Sequence, residues 1–400
     1  MLCIHHGTVL PMAGGTFTEI PDGRVFVDGT RIVAVGNKEL DPPSGISAKD
    51  ITWLDAKDGI IMPGIVEAHC HMGITEEKKG MEGDDCNESV NPITPQLRAI
   101  DAINPMDAAF GDAVRAGITC AMIGPGSSNV VGGQFAIVKT YGRCIDEMVV
   151  KAPAAMKIAF GENPKVNFSG MGQSPSTRMA IAAMLRQELF DARKYWEQKQ
   201  KNGYKDSFEE DFSKECWIPV LKREIPLKAH VHRADDILTA IRIAKEFDLD
   251  MTLDHCSEGH IIAEWVARSG FPAILGPDLA SRSKIEVQNM AFKTAGVLNE
   301  AGVRLAITTD HPVSLIQSLP LCAGLACKAG LPMEEAYKAI TIYPAQILRV
   351  AHRLGSLEPG KDADIAVFTG NPMDTLTRTL YTIIGGQVVY PEAEEGSPGV

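Results

Sequence analysis

Two histidines flank one cysteine at the end of an apolar run, Ile65-Val66-Glu67-Ala68-His69-Cys70-His71. In a strand, successive side chains alternate faces, so His69 and His71 share one face and Cys70 takes the other. Two imidazoles side by side at a strand end make a pair of metal ligands, because neutral imidazole nitrogen suits zinc and its first-row neighbours. A His-X-His alone fits an ordinary polar strand end equally well. Other apolar runs close in the same way: Lys157–Gly161 on Glu162, Leu227–Ala229 on His230 and His232, Met251–Asp254 on His255, and Val303–Thr309 on Asp310. Polar residues at the carboxyl ends of successive strands lie on the face where barrel enzymes place their chemistry.

The elements that must position these residues alternate strand and helix. Pro105–Ala116 reads as a helix leading into the strand Ile118–Ile123, and Asp235–Phe247 reads as an amphipathic helix after the His230 strand. Seven or eight such units between residues 64 and 352 suit an α/β fold of the (β/α)8 TIM-barrel kind, usually about 250 residues long. Residues 1–63 and 353–400 have a different texture, with short β-branched runs and hairpin signals at Asp28-Gly29 and Gly385-Gly386. They predict one small β-sandwich domain built from both termini around the barrel. The stretch 163–226 departs from barrel economy: it holds an amphipathic helix over Ser176–Tyr195 and a charged run over Lys199–Lys214. It reads as a solvated helical excursion, or as a lid or subunit contact over the barrel mouth.

Composition narrows the partners. A formal charge of −12 over 400 residues argues against nucleic acid, whose binding rests on a basic footprint. The most apolar long window, Ser314–Met333, is broken by Gln317, Pro320 and Lys328, so no membrane span is expected. Nine cysteines without a C-x-x-C pair, behind an N-terminus with no signal-peptide pattern, read as reduced thiols of a cytoplasmic protein.

The strand-end set, with Pro63-Gly64 before the His-X-His, Thr309-Asp310 at the last strand and the closing Gly355-Ser356-Leu357-Glu358-Pro359-Gly360-Lys361-Asp362-Ala363-Asp364, resembles the amidohydrolase superfamily over nearly the whole chain. The likeness is to its imidazolonepropionase-like and prolidase-like branch. It implies that His69, His71 and Asp310 hold the more buried metal and that His230 and His255 complete a second site. Glu162 then stands where many relatives carry a carbamylated lysine bridging two metals and where others, including adenine-deaminase-like enzymes, carry a glutamate. A divalent metal is implied, zinc first with manganese or iron accepted by the same ligands, and two ions rather than one. His232 falls at a position of substrate contact, and an assembly of identical subunits is implied.

A divalent metal lowers the pKa of its bound water from about 15.7 toward 7. Asp310 is then placed as the catalytic residue that takes the water's proton and passes it to a leaving nitrogen. The expected reaction is hydrolysis of a C–N bond in a small cyclic amide or peptide-like substrate. A heterocycle deaminase on the same site is the alternative, and a metal-free scaffold suits the retained ligand set less well. For substrate binding, Gly124–Gln134 is rich in glycine but has Asn129 where a dinucleotide fingerprint needs its last glycine. Gln134 and Lys139 are candidates for lining a pocket beside it, against a plain tight turn. Arg178 is a candidate for a substrate carboxylate, against a solvent-facing arginine in a helix's first turn.

Overall fold

The computed structural model describes residues 1–15, 17–77, 80–202 and 208–391. Eight strands from both ends of the chain share one sheet. Its order is Gln387–Pro391, Thr379–Ile384, Ile365–Phe368, Ile60–Pro63, Leu2–Val9, Ile20–Asp28 and Arg31–Gly36, with Thr52–Asp55 also paired to Leu2–Val9. The two ends meet where Ile60–Pro63 runs antiparallel to Ile365–Phe368. Strand alternation gives the sheet two apolar faces. Ile4, Val25 and Val27 pack with Ile365 and Val367 on one, while Cys3, Phe26 and Ile51 pack on the other.

The second sheet is the barrel. Its strands are β1 (Ile65–Cys70), β2 (Ile118–Ile123), β3 (Val131–Lys139), β4 (Val149–Ala159), β5 (Leu227–Val231), β6 (Met251–His255), β7 (Ala273–Leu275) and β8 (Leu305–Ile307). They pair in chain order, all parallel except β3, which is antiparallel to both β2 and β4. The reason is length. Parallel pairing needs a crossover of about a dozen residues or more, and Gly124–Val130 is shorter than that. The glycine-rich segment is thus a loop only as far as Val130, and Gln134 already belongs to a strand.

Side chains bridge the seam between β8 and β1. Glu67, fully buried on β1, accepts hydrogen bonds from Thr308 Oγ1 at 2.5 Å, Thr309 N at 2.9 Å and Thr309 Oγ1 at 2.7 Å. Thr308 Oγ1 also lies 2.6 Å from the His69 carbonyl, sharing its one proton between the two oxygens. The first and last strands are therefore tied together one step below the histidines.

Between β4 and β5 the chain forms the helices Glu162–Gly170 and Arg178–Asn202. The longer one buries Ile181, Leu185, Leu189 and Ala192, a stripe at helical spacing, in the main core. The helix expected over Ser176–Tyr195 is therefore barrel wall, not a lid. Residues 203–207 of the charged run Lys199–Lys214 lie outside the described residues. Among the described residues, no helix is long and apolar enough to cross a membrane.

Candidate metal centre and active site

The strand β1 aims Glu67, His69 and His71 into the barrel in sequence. His69 Nδ1 lies 2.8 Å from Asp254 Oδ2, and His71 Nδ1 lies 2.7 Å from the Gly124 carbonyl. Both partners are acceptors, so each ring donates from Nδ1 and presents Nε2. These two Nε2 atoms face Asp310 Oδ1 at 3.4 Å and 3.2 Å. That oxygen is buried and makes no hydrogen bond of ordinary geometry among the described residues. Ligand bonds of about 2.0–2.2 Å put neighbouring donors about 3.0–3.5 Å apart, so each of these two contacts has the spacing of a ligand pair, and ligand atoms of His69, His255 and Asp310 all lie within 4.8 Å of one another.

The electrostatics suit that role. Burial opposes ionisation of Asp310, yet His255 and His71 outweigh it and hold the carboxyl below the ordinary aspartate value. Burial alone would depress His71, but Cys86 and Asp310 reverse this and hold its pKa at about 10. A proton and a cation thus compete for one nitrogen. His255 and Asp310 both have positive φ, 70° and 52°, a conformation that costs an L-residue energy and persists where surroundings enforce it. Here the enforcing contacts are His255 Nδ1 donating to the Gly276 carbonyl at 2.8 Å and Thr308 Oγ1 accepting from Asp310 N at 3.1 Å.

A second group forms where β5 and β6 end. One ligand atom each from His230, His232 and His255 lies within 4.8 Å of the others. Burial drives the pKa of all three rings well below the ordinary histidine value, leaving them neutral as ligation requires. His232 Nδ1 is hydrogen-bonded to Ser257 Oγ at 2.8 Å, which orients its Nε2 inward.

Beneath both groups lies a buried ionic layer. Asp254, which holds His69, is itself held by Lys228 Nζ at 3.1 Å and Thr252 Oγ1 at 2.7 Å. Lys157 on β4 is fully buried, with Nζ 3.4 Å from His69 Nε2. Burial lowers its pKa to about 8, although Asp254 and Asp310 partly offset the effect. The Phe135 ring closes the floor, 5.6 Å from Lys157 Nζ and 5.4 Å from Lys228 Nζ.

Comparison with known proteins supplies the lineage. The model of the Amidohydrolase family matches residues 60–389. This chain belongs to the amidohydrolase family. It also matches an amidohydrolase crystal structure from Thermotoga maritima with a TM-score of 0.92 at 36% identity, covering 98% of this chain and 100% of that one. Amidohydrolase tasK of Hapsidospora irregularis is 27% identical over 92% of this chain, which spans only 40% of that relative's length. An imidazolonepropionase of Erwinia tasmaniensis is 24% identical over 95% of this chain and 94% of its own.

Within this amidohydrolase, four expected site residues stand elsewhere than the sequence reading put them. Glu162 is the first residue of the helix Glu162–Gly170, three residues past the end of β4, and its Oε2 accepts from Glu286 N at 3.3 Å. The inward place beside His69 belongs to Lys157, because β4 ends at Ala159 and the backbone turns at Gly161. Lys139 closes β3 at the opposite end from the histidines and pairs with Asp362 at 3.0 Å and Asp364 at 2.5 Å. Gln134 points away from the barrel interior that Phe135 fills, and its Nε2 donates to the Pro95 carbonyl at 3.0 Å. Arg178 uses its Nε to hold Asp236, at 3.0 Å from Oδ1, and so ties two helices together. Lys157, Lys228, Asp254 and Glu67 went unread as site residues. Their signal was a charged residue inside an otherwise apolar strand.

Proposed function

We propose that this chain is a metal-dependent hydrolase of a C–N bond in a small cyclic amide or peptide-like substrate. The observation that carries this reading is the convergence of His69 Nε2 and His71 Nε2 on the buried Asp310 Oδ1. A divalent cation held there would supply an acidified water and a polarised carbonyl. His69, His71 and Asp310 would hold one ion, and His230 and His255 would contribute to a second. Zinc suits the ligand set first, and manganese or iron would be accepted.

Asp310 keeps its carboxylate ionised and faces the reaction space through Oδ1, so it would accept a proton from water and return it to the leaving nitrogen. Asp254 and Lys228 keep His69 in the ligating tautomer. Lys157, with its pKa lowered to about 8, would offer a neutral amine beside His69, although the resemblance put the bridging carboxylate at Glu162. Carbamylation would join its Nζ to carbon dioxide, release a proton and set a carboxylate between the two ions.

Nine free cysteines support a cytoplasmic location, and the family resemblance favours a homo-oligomer. The test is a substrate panel. Amino-acid release from dipeptides and N-acyl amino acids, or ring opening of cyclic amides, is expected. Ammonia released from heterocycles with no amide cleavage would overturn the reading.

A further inference from the structure

Outside the histidine centre, three sulfur-bearing side chains meet where the helix Leu319–Lys328 ends, the helix Met333–Ala339 begins and the segment after Ile365–Phe368 crosses them. Cys327 Sγ stands 3.9 Å from Met333 Sδ and 4.0 Å from Met373 Sδ. An ion held by three sulfurs in one plane at about 2.3 Å sets them about 4.0 Å apart. Both separations have that value.

The two thioethers are held in place from behind. Gly324, one turn before Cys327, lets the Met373 backbone come close: a Cβ there would lie 2.8 Å from the Met373 carbonyl oxygen. Asn371 fixes the rest. Its Oδ1 accepts from Met373 N and from Tyr337 Oη, each at 3.0 Å, and its Nδ2 donates to Met333 Sδ at 3.7 Å. A thioether sulfur has two lone pairs, so Met333 keeps one for an ion. Met373 is buried and Cys327 half-buried, whereas Met333 is 47% exposed and leaves an approach from solvent.

We propose that Cys327, Met333 and Met373 form a binding site for a cuprous ion. Soft thiolate and thioether sulfurs select copper(I), whereas zinc takes thiolate, imidazole and carboxylate ligands. One thiolate cancels one positive charge, so the bound group is neutral, while a divalent ion would leave a net charge in a half-buried place at a cost. Binding breaks the Cys327 S–H bond, forms a copper–sulfur bond and releases one proton, and no electron is transferred. Burial raises the Cys327 thiol above its ordinary value, so the proton stays on sulfur until a soft ion displaces it. The site shares no residue with the hydrolytic centre and does not depend on that reading.

The test titrates the full chain with copper(I) from its bicinchoninate complex in the absence of oxygen, then maps free thiols with iodoacetamide and mass spectrometry. Copper should block alkylation of Cys327 and leave the exposed Cys144 reactive. Cys327→Ser should lose this equivalent. Met333→Leu and Met373→Leu keep the side-chain volume and should each hold it at least about 10-fold more weakly, since even a partner behind a ligand is worth about 10–100-fold. Alkylation of Cys327 unaffected by copper in the wild-type chain would overturn the site, whether or not the variants fold. Wild-type affinity in both leucine variants would also overturn it, because the thiol would then be binding the ion alone.

Discussion

At the scale of single residues, the centre is a set of imidazoles whose orientation is decided by what lies behind them. His69 faces Asp310 because Asp254 holds its other nitrogen, and Asp254 stays in place because Lys228 pairs with it. Replacing Asp254 with Asn removes the acceptor charge and frees the wrong tautomer. Asp254→Asn should weaken metal binding about 10–100-fold, read by competition with a chelator, while the far-ultraviolet spectrum stays folded. Unchanged affinity would show that the hydrogen bond does not orient the ligand. Asp310 has a different proposed duty, since it faces the ligand nitrogens and would carry the proton in the reaction proposed above. Asp310→Asn should lower turnover by about 10²–10⁴-fold, the usual range for a positioned acid–base group, with part of the metal retained. A variant with normal turnover would remove Asp310 from the chemistry.

At the scale of elements, strand ends were readable because alternation fixes which residues share a face and because parallel strands bury continuous apolar runs. His69, His71, His230, His255 and Asp310 all follow from that. Lys157 did not, since it lies two places before the end of its strand and only the closing residue carries a strand-end signal. The turn at Gly161 moved Glu162 out of line. Glu286 had no local signal: it stands 56 residues beyond His230 by number and reaches it only through the fold of a loop. The antiparallel β3 was hidden because glycines dominate its approach. Gly161 itself is a further test of how elements meet. It has φ of 81°, and a Cβ there would lie 2.6 Å from Glu286 Oε2 and 2.9 Å from Asp236 Oδ2. Gly161→Ala combines a strained backbone with a clash against two buried carboxylates, so a loss of about 1–3 kcal/mol in stability is expected. Chemical denaturation measures it, and a neutral substitution would show that this turn is slack.

At the scale of the whole molecule, the barrel carries the site and the small sheet braces the barrel's far end. Lys139 makes that junction, pairing with Asp362 and Asp364 from the C-terminal segment; Arg353 also pairs with Asp362 at 2.8 Å. Lys139→Met should therefore cost stability, about 3–5 kcal/mol for a buried pair broken on one side, and leave KM unchanged in the folded fraction. A raised KM with intact stability would return Lys139 to the substrate pocket. The central claim concerns the whole assembly of strands, ligands and proton carrier: hydrolysis of a C–N bond depends on a bound divalent metal. Its most direct test is amide hydrolysis by the full chain, stripped with a chelator and then refed with zinc, with bound metal counted at each stage. The account predicts loss of hydrolysis with the metal and its return in proportion to metal regained. Undiminished hydrolysis by a demonstrably metal-free chain would contradict it.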